Sequence, residues 1–407
     1  MILNKKGLQQ LRQGHPWLWE DMVDGKNWPT QPCLVPIGEH WFFYSPKSKL
    51  RFRRLGPSQR MWPSENLERK IISEPSDFVK HFGDALTDYL ASITKSQSLL
   101  VQGDRCFRWI FAENQGLPGL VLDIFNSTVV AQIQSAPIEW IWPELKSIFE
   151  NAWQRVFPGD SPLVWLEDRS SNLRKLEGLE ILENKHEDLL LKIKWNGFNW
   201  EFRPGSSQKT GAYLDQRINH RRATEWAKTM NLKSAWDLCC YEGGFGIHLA
   251  AFGLPVLFLD QSEKALEATK RNLALNSLDE SKHQFVKADI FDFLKDRGQQ
   301  APKSVDAIIL DPPSFTRSKQ DKVRALRGYF ELHRQALKCL APNGLLVSCS
   351  CSHHITRADL EECIREASHQ TRRDLRIIDV GSQAPDHGRS IGFPESEYLH
   401  TIFLTAN

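Results

Sequence analysis

The 407-residue sequence has no run approaching the roughly 18 consecutive apolar residues that a membrane-spanning helix needs. Its opening, MILNKKGLQQLRQGHPW, lacks the apolar stretch of a secretory signal, so the cytoplasm is the expected compartment. Eight cysteines (33, 106, 239, 240, 339, 349, 351 and 363) form neither a CxxC pair nor an even ladder of spacings. That argues against a disulfide framework and against a zinc ribbon, and leaves reduced thiols as the default. Internal repeats and low-complexity tracts are missing too. The net charge of +2 excludes little, but it is unevenly spread.

With 41% hydrophobic and 25% charged residues, a chain of this length is expected to form two or three domains. Residues 1–75 give short alternating segments, LVPIGEHWFFYSP and LRFRRL, broken by Pro and Gly, which predicts a small β barrel or sheet. They hold 12 Lys or Arg against 7 Asp or Glu, with Arg51, Arg53, Arg54 and Arg60 near Lys47 and Lys49. Such a cluster reads equally as a phosphate-binding surface or a solvated basic hairpin. Fourteen tryptophans are many, yet Trp140, Trp142, Trp165 and Trp200 sit in apolar patterns that predict packing rather than base stacking.

Pro75 marks an expected boundary, and residues 76–187 predict an α+β domain with a helix over 78–94, a hairpin at GLPGLVLDIFNSTVVAQI, a second helix and a strand at LVWLED. The third domain, 188–407, opens with a hairpin over 189–202. There Asn196-Gly197 is the dipeptide favoured in a type I′ turn, between segments that alternate apolar and polar. After the loop SSQKTGAYLDQR come seven strands: AWDLCC, VLFLD, HQFVKAD, VDAIILD, GLLVSCS, LRIIDV and YLHTIFLT. Helical patterns near 246–251, 263–275, 321–340 and 357–368 separate them. Parallel strands with helical crossovers imply an α/β, doubly wound sheet, whose ligands lie beyond the carboxyl ends of the strands.

The first of these strands ends at Asp237-Leu238-Cys239-Cys240 and turns through Tyr241-Glu242-Gly243-Gly244-Phe245-Gly246. The spacing is not GxGxxG, and a glycine-rich turn alone is weak evidence. The second strand ends at Asp260, about 17 residues beyond Gly243, where a carboxylate can accept from both hydroxyls of a ribose. The third ends at Asp289, placed to meet an adenine amine. Each acid singly could cap a loop; together they favour an adenosine ligand.

These features resemble class I S-adenosylmethionine-dependent methyltransferases, whose sulfonium nucleoside has no pyrophosphate to cradle. The resemblance implies a Rossmann-like fold with S-adenosylmethionine as cofactor. The residues implied to hold it are Gln208, Thr210, Tyr213, Asp237, Cys240, Tyr241, Glu242, Gly243, Phe245, Asp260, Gln261, Asp289 and Ile290.

Strand four runs into Asp311-Pro312-Pro313-Ser314-Phe315. Two prolines stiffen the turn, a planar base could stack on Phe315 with Pro312 and Pro313 beside it, and Asp311 could accept from an exocyclic amine. Strand five brings Cys349 and Cys351 to the same rim. Alternation puts both on one face, so parity does not choose between them, but Cys351 is nearer the carboxyl end. A thiolate there could add to carbon 6 of a pyrimidine and activate carbon 5 for methylation. A metal site in CSCSHH is disfavoured by the tight spacing. Cys363 belongs to the apolar face of a helix, and His353 and His354 are expected as solvated loop residues.

QKTGAYLDQR, YEGGFG, DPPSF, SCSCSHH, QAPDH and FPESEYL together resemble the RlmI family of ribosomal RNA large-subunit methyltransferases, over nearly the whole chain. The resemblance implies a PUA-like RNA-binding domain around HPWLW, 5-methylcytosine formation in large-subunit (23S) ribosomal RNA, and Cys351 as nucleophile. It also implies a loop over the cofactor from Lys209 to Arg217, with Tyr213 as a lid. Ribosomal RNA is the implied partner, with a homodimer left open. Related cytosine enzymes carry a second cysteine where Ser314 and Phe315 stand here, so the residue that assists release is unassigned. DPPSF also resembles motifs of guanine-nitrogen methyltransferases, which keeps thiol-free nitrogen methylation as the alternative. A catalytically silent RNA-binding assembly factor is the third reading, and the acids at 237, 260, 289 and 311 argue against it.

Overall fold

The computed structural model describes the chain except residues 1, 26–27, 57–69, 102–103, 184–185, 187–188, 205–209, 317–320 and 353. Arg60, Gln208, Lys209 and His353 therefore lie outside the described residues. The chain divides into two compact units. The first is Met1–Trp195, Arg203–Ala212 and Pro385–Ser396, and the second is Asn196–Phe202, Tyr213–Ala384 and Glu397–Asn407. Among the described residues no helix is long and apolar enough to cross a membrane.

In the first unit, strands Trp17–Leu18, Phe52–Arg54, His40–Tyr44 and Cys33–Ile37 form an antiparallel sheet in that order. Period-two alternation sorts its side chains. Val35, Phe42, Tyr44 and Phe52 fill one small core, while Leu34, Trp41 and Phe43 point into a larger one shared with Phe78 and Phe82 of the helix Pro75–Leu100. Pro75 opens that helix, and the hydrophobic core runs across the position expected as a boundary. A second sheet joins Cys106–Phe111, Leu120–Phe125 and Thr128–Ile133 in antiparallel sequence. The helix Ala136–Val156 then carries the chain over to Val164–Asp168, parallel to Thr128–Ile133.

The arginines of the basic stretch are spent inside this unit. Arg53 grips Glu177 through both carboxylate oxygens at 3.2 and 2.6 Å, Arg51 donates to Glu20 and to the Pro46 carbonyl, and the half-buried Arg54 donates to the Gly14 carbonyl. These three side chains are thus taken up by partners within the unit, whereas Lys47 and Lys49 are exposed. Deeper in, Arg108 meets Asp123 at 2.6 and 3.0 Å with both side chains buried, and the completely buried Thr210 donates its hydroxyl to the same carboxylate. The Arg108 backbone N–H donates to Asp386 at 2.8 Å, and Gln97 donates to the Asp386 carbonyl, so the returning segment 385–396 is stitched into this unit.

The expected hairpin appears as strands Leu191–Trp195 and Phe198–Phe202, with Asn196 at φ 51° and Gly197 at φ 83°, both left-handed as a type I′ turn requires. The boundary between the units falls at Asn196.

The second unit is a seven-stranded sheet: β1 Ala235–Leu238, β2 Val256–Asp260, β3 Gln284–Lys287, β4 Val305–Leu310, β5 Leu340–Ser350, β6 Leu375–Ser382 and β7 His400–Ala406. Its helices are α1 Arg217–Thr229, α2 Gly244–Ala251, α3 Glu263–Leu275, α4 Ile290–Gln300, α5 Lys322–Cys339 and α6 Arg357–Thr371. The order β3-β2-β1-β4-β5-β7-β6 reverses between β1 and β4, which opens a crevice at their carboxyl ends. β7 runs antiparallel to both neighbours, unlike the all-parallel expectation. No helical crossover joins β6 to β7, and without one a parallel return is out of reach. Helix starts follow local chemistry: Ser262 caps α3, Asp289 caps α4, and Thr356 with Asp359 forms a capping box on α6.

Replacing Arg108 with methionine strands the Asp123 carboxylate in the core, so the variant should lose about 3–5 kcal/mol, seen as a lower denaturation midpoint in urea.

Candidate active site

β1 delivers the chain into a turn that only small residues and strained backbone can make. Cys239, Tyr241 and Gly243 have φ values of 64°, 50° and 88°, all left-handed, and the two non-glycines there carry a local cost. Gly246 is required by contact: a Cβ would lie 2.1 Å from a Phe258 ring carbon and 2.8 Å from Asp237 Oδ2. Its N–H donates to that oxygen at 2.7 Å, tying the first turn of α2 to the end of β1. The His220 ring blocks any side chain at Gly244, where a Cβ would approach to 2.6 Å. His220 and His248 are both kept neutral by burial; His248 donates from Nδ1 to the Gly244 carbonyl at 2.7 Å and accepts on Nε2 from the Asn196 amide at 3.3 Å.

Asp237 is wholly buried, and desolvation pushes its carboxyl up to about 7, partly offset by the Gly246 N–H. Asp260, at the end of β2, accepts from Tyr241 N at 3.0 Å on one oxygen and from Ser262 N at 2.8 Å on the other. Each oxygen retains a second lone pair. Asp289 caps α4 through Phe291 N and Asp292 N, and its other oxygen accepts from the exposed Gln261 at 2.6 Å. The donor set fits S-adenosylmethionine. A partly exposed carboxylate at the end of β2 suits a ribose diol, and the backbone of the glycine turn admits a ligand closely. Tyr213 stands edge-on to Tyr241 at 5.0 Å, its phenol raised by burial, and Glu242, half-buried beside them, is also raised by desolvation.

Several expected cofactor residues are engaged or buried within the protein. Thr210 belongs to the first unit, and its hydroxyl donates to Asp123. Phe245 and Ile290 turn their side chains into the interior, leaving only backbone to face a ligand. Cys240 is buried, with its thiol raised by desolvation. Phe315 is partly exposed, and its ring packs on Tyr329 at 4.8 Å and Phe291 at 6.0 Å, which ties the loop after β4 to α5 and α4. Beside it Pro312 is buried and Pro313 is exposed.

At the second rim β4 and β5 run parallel, with Leu310 opposite Ser348 as their last registered pair. Asp311 and Cys349 follow directly. The even positions of β5 face α5: Ser348 meets His333 Nε2 at 2.7 Å, Ser350 accepts from the Tyr329 hydroxyl at 2.9 Å, and Ser352 pairs with Ser314 at 2.8 Å. His333 donates from Nδ1 to the Tyr329 carbonyl, so Nε2 accepts, and burial lowers the ring to about 4. The odd positions face the other way. Cys349 is completely buried under Thr401, whose hydroxyl donates to its sulfur at 3.5 Å, and burial raises its thiol far above the ordinary value. Cys351, beyond the strand's end, is partly exposed. Sequence reasoning missed the serine series, although its alternation with the cysteines was visible, and missed Gln216, which donates to Asp311 Oδ2 at 3.1 Å.

Two outcomes follow from the first rim. Gly246→Ala should destabilise the second unit by about 1–3 kcal/mol and lower cofactor affinity, measured by thermal melts and calorimetry. Because the folded Asp237 holds its proton up to about 7 while the unfolded one releases it near 3.8, the folded state binds more protons between those values. Stability therefore falls as pH rises through that window. Asp237→Asn should flatten this part of the profile of melting temperature against pH.

The S-adenosylmethionine-dependent methyltransferase family model matches residues 179–387. A curated relative from Pseudoalteromonas atlantica, named ribosomal RNA large subunit methyltransferase I, is 36% identical and covers 96% of this chain and 95% of its own. Another of that name from Tolumonas auensis is 30% identical over 100% and 99%. Among solved structures, a candidate SAM-dependent methyltransferase from Streptococcus mutans shares the fold with a TM-score of 0.74 at 17% identity, covering 100% of this chain and 99% of its own. A candidate methyltransferase solved with S-adenosylhomocysteine has a TM-score of 0.73 at 18% identity over the same shares. With its glycine turn, its strand-end acids and this likeness along its whole length, the chain belongs to the ribosomal RNA large subunit methyltransferase I family of S-adenosylmethionine-dependent enzymes.

Proposed function

We propose that the protein methylates carbon 5 of a cytosine in large-subunit ribosomal RNA, with Cys351 as nucleophile. The observation that carries this reading is the division of labour on β5: Cys349 is buried with its thiol held protonated, whereas Cys351 shares its face and is partly exposed at the rim. A soft nucleophile in that place suits addition to carbon.

When bound, S-adenosylmethionine supplies an electrophilic methyl group. The Cys351 thiolate forms a bond to carbon 6 of the ring, and the electron pair of the 5,6 double bond becomes available at carbon 5 for the new carbon–methyl bond. Loss of the carbon-5 proton then returns a pair to the ring, and the sulfur–carbon bond breaks to release the thiolate. Asp311 accepts a hydrogen bond from the exocyclic amine and so orients the ring for the addition. The exposed Pro313 and the stiff turn around it limit where the flipped base can lie. The small N-terminal sheet is the natural RNA-binding module on this reading, as a PUA-like domain.

Incubating the protein with S-adenosylmethionine and large-subunit ribosomal RNA containing 5-fluorocytosine should give a covalent adduct that survives denaturation. Cys351→Ala should abolish it and lower methyl transfer by at least about 10³-fold. Methyl transfer that persists in the variant, with no adduct in the wild type, would establish nitrogen methylation instead. Cofactor binding without any methyl transfer would point to a silent assembly factor.

A further inference from the structure

Gln216 lies just ahead of α1 and is almost completely buried. Its Nε2 donates to Asp311 Oδ2 at 3.1 Å and its Oε1 accepts from Asn219 Nδ2 at 2.6 Å. The same Asn219 nitrogen lies 3.1 Å from the Ser382 carbonyl oxygen on β6, which can only accept, and 3.1 Å from the Thr401 hydroxyl on β7. Gly381 makes room for this amide, since a Cβ there would sit 2.1 Å from Asn219 Oδ1. The orientation of both amides is therefore dictated from the far end. A backbone carbonyl demands the Asn219 NH2, the Asn219 NH2 demands the Gln216 oxygen, and Gln216 has only its N–H left to offer Asp311. Neighbouring residues brace the segment: Tyr398 donates to Asp215 at 2.7 Å, and Ala384 N donates to the Asp215 carbonyl at 2.8 Å.

Asp311 faces Asp237 and Cys239 from β1 and its turn, Tyr213 from the segment before α1, Cys349 from β5 and Tyr329 from α5. Among the described residues these neighbours are anionic when charged. A donated N–H favours the ionised carboxylate. We propose that Gln216 is a positioning residue: through an amide relay anchored on β6 and β7, it sets the orientation of the Asp311 carboxylate and holds it as an acceptor for the amine edge of the target base. This assignment rests on the role given to Asp311 under the proposed function.

The test is single-turnover methyl transfer to transcribed large-subunit ribosomal RNA across a pH series, for wild type, Gln216→Met and Asp311→Asn. Gln216→Met keeps length and volume and removes the donor. The expected result is a rate lower by about 10- to 100-fold, an acid limb moved upward by about one pH unit, and S-adenosylmethionine affinity within about threefold of wild type. A Gln216→Met enzyme that matches wild type in rate and limb overturns the proposal. So does a loss of rate with the limb unmoved, or a variant that no longer folds or binds cofactor, since each of these marks a structural role. If Asp311→Asn is as active as wild type, the reading of Asp311 itself falls, whatever Gln216→Met does.

Discussion

The register of β5 against α5 governs the chemistry this fold can offer. Ser348, Ser350 and Ser352 are fastened to His333, Tyr329 and Ser314, and because strand side chains alternate, fastening one set determines where the other set looks. A slip by one residue would turn the cysteines into the helix and the serines into the crevice. The network is buried and its members satisfy one another, so misregistered states would leave polar groups unpaired in the interior. Ser314 belongs to the turn after β4, and its bond to Ser352 couples the base-side loop to the thiol strand.

The cofactor rim works by a different economy. There the protein accepts left-handed backbone at Cys239 and Tyr241, and side-chain-free positions at Gly244 and Gly246, to bring the chain close beneath a ligand. The burial of Asp237 adds a further strain, relieved in part by one backbone N–H. Rigidity at one rim and stored strain at the other thus face the same crevice.

Much of this was legible before any coordinates. Strand periodicity, the Asn196-Gly197 turn and the acids at the carboxyl ends of β1, β2 and β3 all depend on local pattern, which a sequence displays directly. What escaped depends on residues far apart in the chain. The Arg53 side chain reads as an exposed cation until Glu177 is brought to it, Thr210 shows no tie to Asp123 in the sequence, and Gln216 is anonymous until Asp311 lies beside it. The contacts of Phe315 with Tyr329 and Phe291 likewise appear only once the two helices are placed. The antiparallel final strand follows from a segment before it that holds no α-helix, which strand patterns alone do not display.

The first unit is closed by residues 385–396, which reach Gln97, Arg108 and Asn114 through Asp386 and Gly388. A chain made from its N-terminus therefore begins this unit first and finishes it late, after β1 to β6 of the sheet have been synthesised. For most of its synthesis the buried N–H of Arg108 has no Asp386 to meet. Completion of the N-terminal half thus reports that nearly the whole enzyme exists, which orders in time two halves that the finished molecule presents side by side in sequence.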